Sequence, residues 1–316
     1  MNKAESVTKG LFQAKVLSNQ QIRQCYYRII LEFDPKGSEL FRNVLPGQFL
    51  EIDLSRISLP ETSRIPKHLR DVSQRQVLLR RPFSFSDVMI SRDKKGVSVK
   101  VEILYCVLGP ATVRMMSLKN DDTINVMGPL GNGFSVPSGL SQAILIAGGM
   151  GSPPILHLAS YLKQRYPECQ PVCFVGAKTC EDLPFTVRIG NITGVVLEEF
   201  EIVRVPSFVA TDDGSAGYRG FVTDNARHWI EHNQIDPNST VIFACGPEPM
   251  LLSAALLAEN YKLPCQVSME RMMACGIGLC QSCAVETKSS AGDTKYRLCC
   301  KDGPVFNAND VIFHKA

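Results

Sequence analysis

A large excess of either sign of charge is missing from this chain. Thirty-four Lys and Arg against thirty-one Asp and Glu leave a formal net charge of +3, too little to argue for nucleic acid or an anionic membrane as partner. Long apolar runs are missing too: none reaches the ~18 consecutive residues of a membrane-spanning helix. The opening stretch MNKAESVTKGLFQAKV has neither the apolar core nor the small-residue cleavage site of a secretory signal. These absences lead to the expectation of a cytoplasmic protein. No internal repeat or low-complexity tract is present. No Ser/His/Asp set or paired carboxylates stand out, so nothing marks the chain itself as doing acid–base chemistry on a substrate.

What the chain does have is cysteine. At 316 residues it is long enough for two or three domains, each with its own core. Its 45% hydrophobic and 21% charged residues are ordinary for a globular protein. Twelve cysteines are many for a compartment that keeps thiols reduced. Cys25, Cys106, Cys169, Cys173, Cys180 and Cys265 are scattered, several among apolar neighbours, and read as small core hydrophobes. Cys275, Cys280, Cys283, Cys299 and Cys300 instead crowd into twenty-six residues. That clustering asks for a metal.

The rhythm of the chain changes twice. From Phe12 to about Val136, stretches such as YYRIILEF, QFLEIDLS and VSVKVEILYCVL alternate or run apolar at strand length, bounded by Gly, Pro, Asn and Asp. No long helical period interrupts them, and the pattern predicts a small antiparallel β-barrel. Residues 55–78 are polar, contain two prolines and read as a long excursion between strands. From Ser141 strands alternate with helices: QAILIAGG precedes SPPILHLASYLKQR, and STVIFACG precedes EPMLLSAALLAENY. This predicts a doubly wound parallel α/β sheet covered on both faces. The expected fold is therefore a multidomain α+β and α/β chain. Its expected parts are a barrel at 8–138, an α/β domain at 139–260 and a cysteine-bearing C-terminal domain at 261–316.

Two turns in the α/β part suggest a nucleotide. In IAGGMGSPP, Gly148, Gly149 and Gly151 lie between a buried strand and a helix N-terminus, where backbone N–H groups can approach a phosphate. The loop lacks full G-x-G-x-x-G spacing, and such turns are common in any α/β domain. In FACGPEPM, a second strand ends at Cys245, Gly246 and Pro247 before a second helix. Two strand ends then face one crevice, where open α/β sheets bind ligands. Gly246 and Pro247 alone are also explained as a tight turn and a helix first residue.

With AGGMG and CGPEPM behind a barrel, the chain resembles the ferredoxin–NADP reductase superfamily, whose barrel holds a flavin and whose sheet domain holds a nicotinamide nucleotide. RRPFSFSD carries Arg81, Pro82, Phe83 and Ser84 where the superfamily has its flavin motif, and PGQF stands upstream. The resemblance implies that Arg81 clamps the FAD pyrophosphate, Phe83 covers the flavin ring and the Ser84 hydroxyl hydrogen-bonds near N5. It implies that Tyr105, Gly109 and Thr112 in LYCVLGPATVRM hold the flavin diphosphate, although Ala111 replaces the usual second glycine. Cys245 is placed near the nicotinamide by the same resemblance. A buried strand-end cysteine without function is the alternative. Asp212 and Asp213 in TDDGS would favour NAD over NADP if they lie at the adenosine ribose, whereas Lys178 points the other way.

Cys275, Cys280 and Cys283 form C-x4-C-x2-C, and sixteen residues separate Cys283 from Cys300. This is the ligand spacing of a plant-type 2Fe–2S cluster. Gly276 and Gly278 supply the positive φ that a loop wrapped round a cluster needs. Zinc is the rival, but structural zinc usually takes paired C-x2-C knuckles. Of the adjacent pair, Cys300 is the expected ligand and Cys299 its neighbour.

With ERMMACGIGLCQSC and CCKDGPVF included, the chain resembles the electron-transfer subunits of type B dihydroorotate dehydrogenase over nearly its whole length. LLRRPFS, GPLGNGF, GAKTCEDLPF and TDDGSAGYRGFVTD carry the likeness. It implies FAD, a 2Fe–2S cluster and NAD as co-substrate, with electrons relayed from a partner subunit that bears FMN and oxidises dihydroorotate in pyrimidine biosynthesis. It implies a heterotetramer with two of each subunit, and no membrane or nucleic acid. Two readings stay open beside it: a related NAD(P)H:ferredoxin or sulfur-compound reductase subunit, and a non-enzymatic zinc scaffold.

Overall fold

The strands of the first part form because alternate side chains find a core. The computed structural model describes residues 9–93, 96–190, 194–289 and 292–314; of the expected boundaries, residue 8 and residues 315–316 lie outside the described residues. β1 (Gly10–Gln21) and β2 (Tyr26–Phe33) bury alternate side chains over much of their length. They join β3 (Phe49–Ile52), β4 (Arg81–Ser84), β5 (Asp87–Asp93), β6 (Gly96–Cys106) and β7 (Thr123–Leu130) in an antiparallel sheet of order β4-β3-β7-β1-β2-β6-β5. The short helix α1 (Pro35–Phe41) follows β2, capped by Asp34 Oδ1, which accepts from the Gly37 N–H at 2.7 Å.

β4 and β5 stand at opposite edges and do not pair, so the sheet curls into a half-barrel, an open form of the barrel expected. Pro82 in β4 lacks the N–H that another ladder would use. All four residues of β4 are half-buried against a cleft instead.

The excursion at 55–78 is part of this unit. It runs through two single turns and α2 (Arg70–Ser73), and Ile65, Leu69 and Val77 enter the half-barrel core, each adding about 2 kcal/mol of apolar burial. Arg64 Nη2 donates to the Met116 carbonyl at 3.2 Å and Arg114 Nη1 to the Ser73 carbonyl at 2.9 Å. The excursion is thereby tied to α3 (Pro110–Met115), the helix that opens beside the cleft.

The later strands are β8 (Gln142–Gly148), β9 (Gln170–Ala177), the antiparallel pair β10 (Val187–Gly190) and β11 (Gly194–Leu197), β12 (Ser207–Thr211), β13 (Tyr218–Arg219) and β14 (Thr240–Cys245). β15 (Cys265–Ser268), β16 (Ala284–Lys288), β17 (Thr294–Leu298) and β18 (Val305–Asn307) complete the chain. The helices among them are α4 (Ser152–Arg165), α5 (Glu198–Ile202), α6 (Val222–His232) and α7 (Glu248–Tyr261).

A second sheet has the order β13-β12-β9-β8-β14-β15-β18 and is parallel except at β18. β8, β9 and β14 read as continuous apolar runs because both their faces are covered. Leu145 and Ala147 of β8 pack with Ile155 and Leu158 of α4, whereas Ile144 and Ile146 pack with Ala226 of α6 and Ala254 of α7. The sheet continues past residue 260, since β15 and the C-terminal β18 both pair in it.

The two sheets meet along a polar seam. Arg28 of β2 bridges Glu199 of α5 at 2.8 Å and Glu102 of β6 at 3.5 Å, and the Tyr26 hydroxyl donates to the Asp182 carbonyl at 2.9 Å. His157 of α4 is buried at the same junction, its ring edge-on to Phe85 at 6.4 Å. Its Nδ1 has no hydrogen-bond partner, and burial holds the imidazole neutral, pushed down to about 3. The unfolded chain takes up a proton near pH 6.5 that the native chain refuses. His157 therefore costs stability as pH falls from about 6.5 towards 3, at up to about 1.4 kcal/mol per pH unit. Urea denaturation of His157→Leu between pH 7 and pH 4 should show a shallower loss of stability than the wild type; parallel curves would contradict this.

Candidate functional site

The strand ends of both sheets open onto one cleft of about 880 Å³. The half-barrel contributes Arg81, Pro82, Phe83 and Ser84 from β4, Tyr105 from β6, and Gly109 and Thr112 at the start of α3. The parallel sheet contributes Gly151, Cys245 and Gly246. Met269, Glu270, Arg271, Met272 and Met273, which lead into the cysteine loop, form a third wall. Gly148, Gly149 and Pro247 stand just outside: Pro247 lines a smaller adjoining cavity of about 160 Å³.

The two glycine turns touch each other. A Cβ on Gly151 would fall 2.3 Å from the Cys245 carbonyl carbon and 2.5 Å from Gly246 N, so only glycine lets the ends of β8 and β14 meet. A Cβ on Gly148 would come within 2.6 Å of Met250 Sδ and 3.0 Å of Pro247, at the start of α7. Gly149 takes φ +50 with open space beside it.

Several expected flavin residues are already hydrogen-bonded within the chain. Arg81 Nη1 donates to the Leu79 and Arg80 carbonyls at 2.9 and 3.1 Å, which anchors the guanidinium at the cleft wall. The Tyr105 hydroxyl donates to Asn19 Oδ1 at 3.0 Å, its ring stacks on Tyr27 at 5.4 Å and Phe83 meets it edge-on at 6.4 Å. Thr112 Oγ1 accepts from the N–H groups of Leu108 at 2.9 Å and Gly109 at 3.2 Å and so caps α3. Gly109 is extended, at φ −174, and the space where its Cβ would stand is open.

Cys245 is buried at the end of β14. Burial pushes its thiol up to about 12, against a hydrogen bond with the Ser268 side chain, so it stays protonated at neutral pH. Asp213 Oδ1 accepts from the N–H and hydroxyl of Ser215 at 2.9 and 2.7 Å, and these bonds hold its carboxyl below the usual range. The N–H groups of Asp212 and Asp213 donate to the Ala177 and Lys178 carbonyls at 3.1 and 3.3 Å, so all three candidate specificity residues sit at the ends of β9 and β12.

The cysteine loop folds around its own sulfurs. Gly276 at φ +66, Gly278 at φ +86 and Gln281 at φ 59 let the backbone turn tightly enough, and the N–H groups of Leu279 and Cys280 both point at Cys275 Sγ from 3.4 Å. Cys280 is exposed and interacts with Cys275; hydrogen bonds from Ser282 pull its thiol down to about 6. Cys283 and Cys300 are buried with their sulfurs 3.3 Å apart. Cys299 Sγ turns away to the Met269 carbonyl at 3.5 Å.

The four thiols thus form two pairs, Cys275 with Cys280 and Cys283 with Cys300. Two pairs suit a two-iron cluster, which takes two thiolates on each iron. Structural zinc usually takes paired C-x2-C knuckles, and here only Cys280 and Cys283 have that spacing.

Glu51 escapes sequence reasoning, although the acid inside the buried strand FLEI is a visible anomaly. It is buried on β3 opposite Pro82, with its carboxylate packed under Gly276, where a Cβ would lie 2.6 Å from Oε1. Burial pushes its carboxyl up against the opposing pull of Arg80, and neither Glu51 Oε1 nor Arg80 Nε has a hydrogen-bond partner. A second element missed is the Arg271–Glu248 ion pair at 2.9 Å, which fastens the cysteine segment to the start of α7.

This arrangement has counterparts among known proteins. Residues 270–312 match a family model described as the iron-sulfur cluster binding domain of dihydroorotate dehydrogenase B, and residues 145–255 match the oxidoreductase NAD-binding domain. The dihydroorotate dehydrogenase B (NAD(+)) electron transfer subunit of Caldanaerobacter subterraneus is 31% identical over 301 residues, covering 95% of this chain and 98% of that protein. The chain belongs to this family of electron transfer subunits. The Listeria innocua member is 34% identical over 303 residues, covering 95% of this chain and 98% of that one. Among solved structures, an NADH-dependent reduced ferredoxin–NADP oxidoreductase superposes with a TM-score of 0.69 at 24% identity over 95% of this chain and 90% of that one. The cytochrome b5 reductase domain of Ulva prolifera nitrate reductase gives 0.57 at 14% identity over 80% of this chain and 94% of that one. These establish a ferredoxin–NADP reductase-type fold. As an electron transfer subunit, the chain works with a catalytic partner, and no helix among its described residues is long and apolar enough to cross a membrane.

Proposed function

We propose that this chain carries electrons from the FMN of a separate dihydroorotate dehydrogenase subunit to NAD+, in the cytoplasm, within a heterotetramer of two subunits of each kind. The observation that carries this reading is the single cleft, walled by flavin-type residues, by the touching glycine turns and by the segment that enters the cysteine loop. One cleft with those three walls brings the flavin-type residues, the nucleotide turns and the approach to the cysteine loop to one place.

A bound FAD would supply the chemistry that joins two-electron hydride exchange with nicotinamide to one-electron exchange with the cluster. The chain's own residues position that chemistry. Arg81, fixed by two backbone carbonyls, presents its guanidinium to the FAD pyrophosphate, with Gly109 leaving room beside it. Pro82, Phe83 and Ser84 line the flavin ring's side of the cleft, and Tyr105 and Thr112 hold that wall in shape through Asn19 and the α3 cap. Gly148, Gly149, Gly151, Gly246 and Pro247 shape the nicotinamide nucleotide site, and Cys245 offers it a neutral thiol. Cys275, Cys280, Cys283 and Cys300 hold the cluster.

A surface for the catalytic partner is suggested by apolar side chains left exposed around the loop. Met272 is 88% exposed and Leu279 76%, one on each side of Cys275 in the loop. Leu279→Glu, which lies outside the cleft wall, should weaken binding of the catalytic subunit at least about tenfold, ~1.4 kcal/mol, and leave NADH-driven dye reduction by this chain unchanged. Unaltered affinity in a sedimentation titration would place the interface elsewhere.

The direct test mixes the chain with an FMN-bearing dihydroorotate dehydrogenase subunit and follows NADH formation from dihydroorotate and NAD+. Formation only with both subunits present is expected. Failure there, together with rapid reduction of a ferredoxin by NADH, would favour the ferredoxin reductase reading.

A further inference from the structure

Cys25 and Cys106 look unrelated in the sequence, yet their sulfurs lie 3.3 Å apart. Cys106 ends β6, directly after Tyr105, and lines the cleft. Cys25 is half-buried in the bend between β1 and β2, and its carbonyl accepts from the Val107 N–H at 2.8 Å, which keeps the two side chains side by side. The same bend is a contact between the sheets: Arg23 Nη1 donates to the Phe185 carbonyl at 3.4 Å and the Tyr26 hydroxyl to the Asp182 carbonyl at 2.9 Å. Neither thiol belongs to the cysteine loop or to the glycine turns.

We propose that Cys25 and Cys106 are a redox-active dithiol that low-molecular-weight disulfides, such as glutathione disulfide, oxidise to an intramolecular disulfide at the seam between the flavin half-barrel and the nucleotide sheet. From 3.3 Å, reaching a bond of about 2.05 Å asks for roughly an ångström of movement, and one partner sits in a bend rather than within a strand.

The order of events follows from exposure. Cys106 is 8% exposed, and burial together with the neighbouring Cys25 pushes its thiol up to about 12, so Cys25 meets the oxidant first. The Cys25 thiolate attacks one sulfur of glutathione disulfide; that S–S bond breaks, a Cys25–glutathione bond forms and one glutathione thiolate leaves. Cys106 then releases its proton and attacks the Cys25 sulfur, expelling the second glutathione. Two protein thiols lose two electrons and two protons, and one glutathione disulfide becomes two glutathione thiols.

The test treats cluster-loaded protein anaerobically with glutathione disulfide, alkylates the remaining thiols with iodoacetamide and maps peptides by mass spectrometry without reduction. A linked Cys25–Cys106 peptide that disappears after dithiothreitol is expected. Cys106→Ser should stop at a glutathione adduct on Cys25, and Cys25→Ser should leave Cys106 unmodified. Because cluster cysteines map to other peptides, their fate does not obscure the result. Recovery of both Cys25 and Cys106 as alkylated thiols from the wild type, or a lasting glutathione adduct on Cys25 with Cys106 still free, would overturn the proposal.

Discussion

Cys283→Ser will purify with its flavin absorbance intact but with almost no iron. Cys283 is 2% exposed and its sulfur lies 3.3 Å from that of Cys300, so the substitution leaves one iron of the cluster with a single thiolate. Serine is a poor replacement, because iron–sulfur sites are built from soft thiolates. Electron transfer to a one-electron acceptor should fall by at least about 100-fold, beyond what loss of a supporting residue costs, while NADH reduction of a two-electron dye persists. Cys299→Ser is the matched control. Its sulfur faces the Met269 carbonyl and not the cluster thiols, so iron and sulfide should stay near wild-type levels. Iron loss from Cys299→Ser with retention in Cys283→Ser would reverse the ligand assignment.

Gly151→Ala carries the second large effect. The added methyl meets backbone at 2.3 Å from the Cys245 carbonyl carbon and 2.5 Å from Gly246 N, and backbone cannot rotate aside as a side chain can. Overpacking of this kind costs about 1–3 kcal/mol. The strain falls between the two turns that form the nucleotide side of the cleft, so NAD+ and NADH binding should weaken at least about tenfold. Isothermal titration or fluorescence quenching measures that directly. Gly139→Ala makes a sharp contrast: its φ of +79 strains an alanine, but nothing lies within 4 Å of its Cβ position and it is not among the residues lining the cleft. It should lose some stability and keep nucleotide affinity. Equal nucleotide binding by wild type and Gly151→Ala would show that the two turns do not form a single site.

Much of this architecture is written in local sequence patterns. Alternation in YYRIILEF and continuous burial in QAILIAG come from one sheet with a single covered face and another with two. The spacing Cys275, Cys280, Cys283, Cys300 is legible because three of the four proposed ligands sit on one loop. Features that depend on distant partners are not legible. Ile65, Leu69 and Val77 are isolated apolar residues in a polar stretch, with no period to reveal that they enter the half-barrel core. The unpaired edges of β4 and β5 depend on the curl of the whole sheet. Cys25 and Cys106, 81 positions apart, are scattered cysteines until the β2–β6 pairing brings them into contact. Tyr105 and Thr112 both line the cleft, and the hydrogen bonds of their hydroxyls to Asn19 and to the cap of α3 are not legible in the sequence, because their partners are set by the fold.

The most direct test of the relay is an anaerobic titration of the flavin- and cluster-loaded protein with NADH, followed by visible absorbance and low-temperature electron paramagnetic resonance. The account predicts that the flavin bleaches and that the signal of a reduced 2Fe–2S cluster grows with it, both reversed by excess NAD+. A flavin that bleaches while the cluster stays oxidised throughout, or a protein that holds zinc where the iron should be, would contradict it.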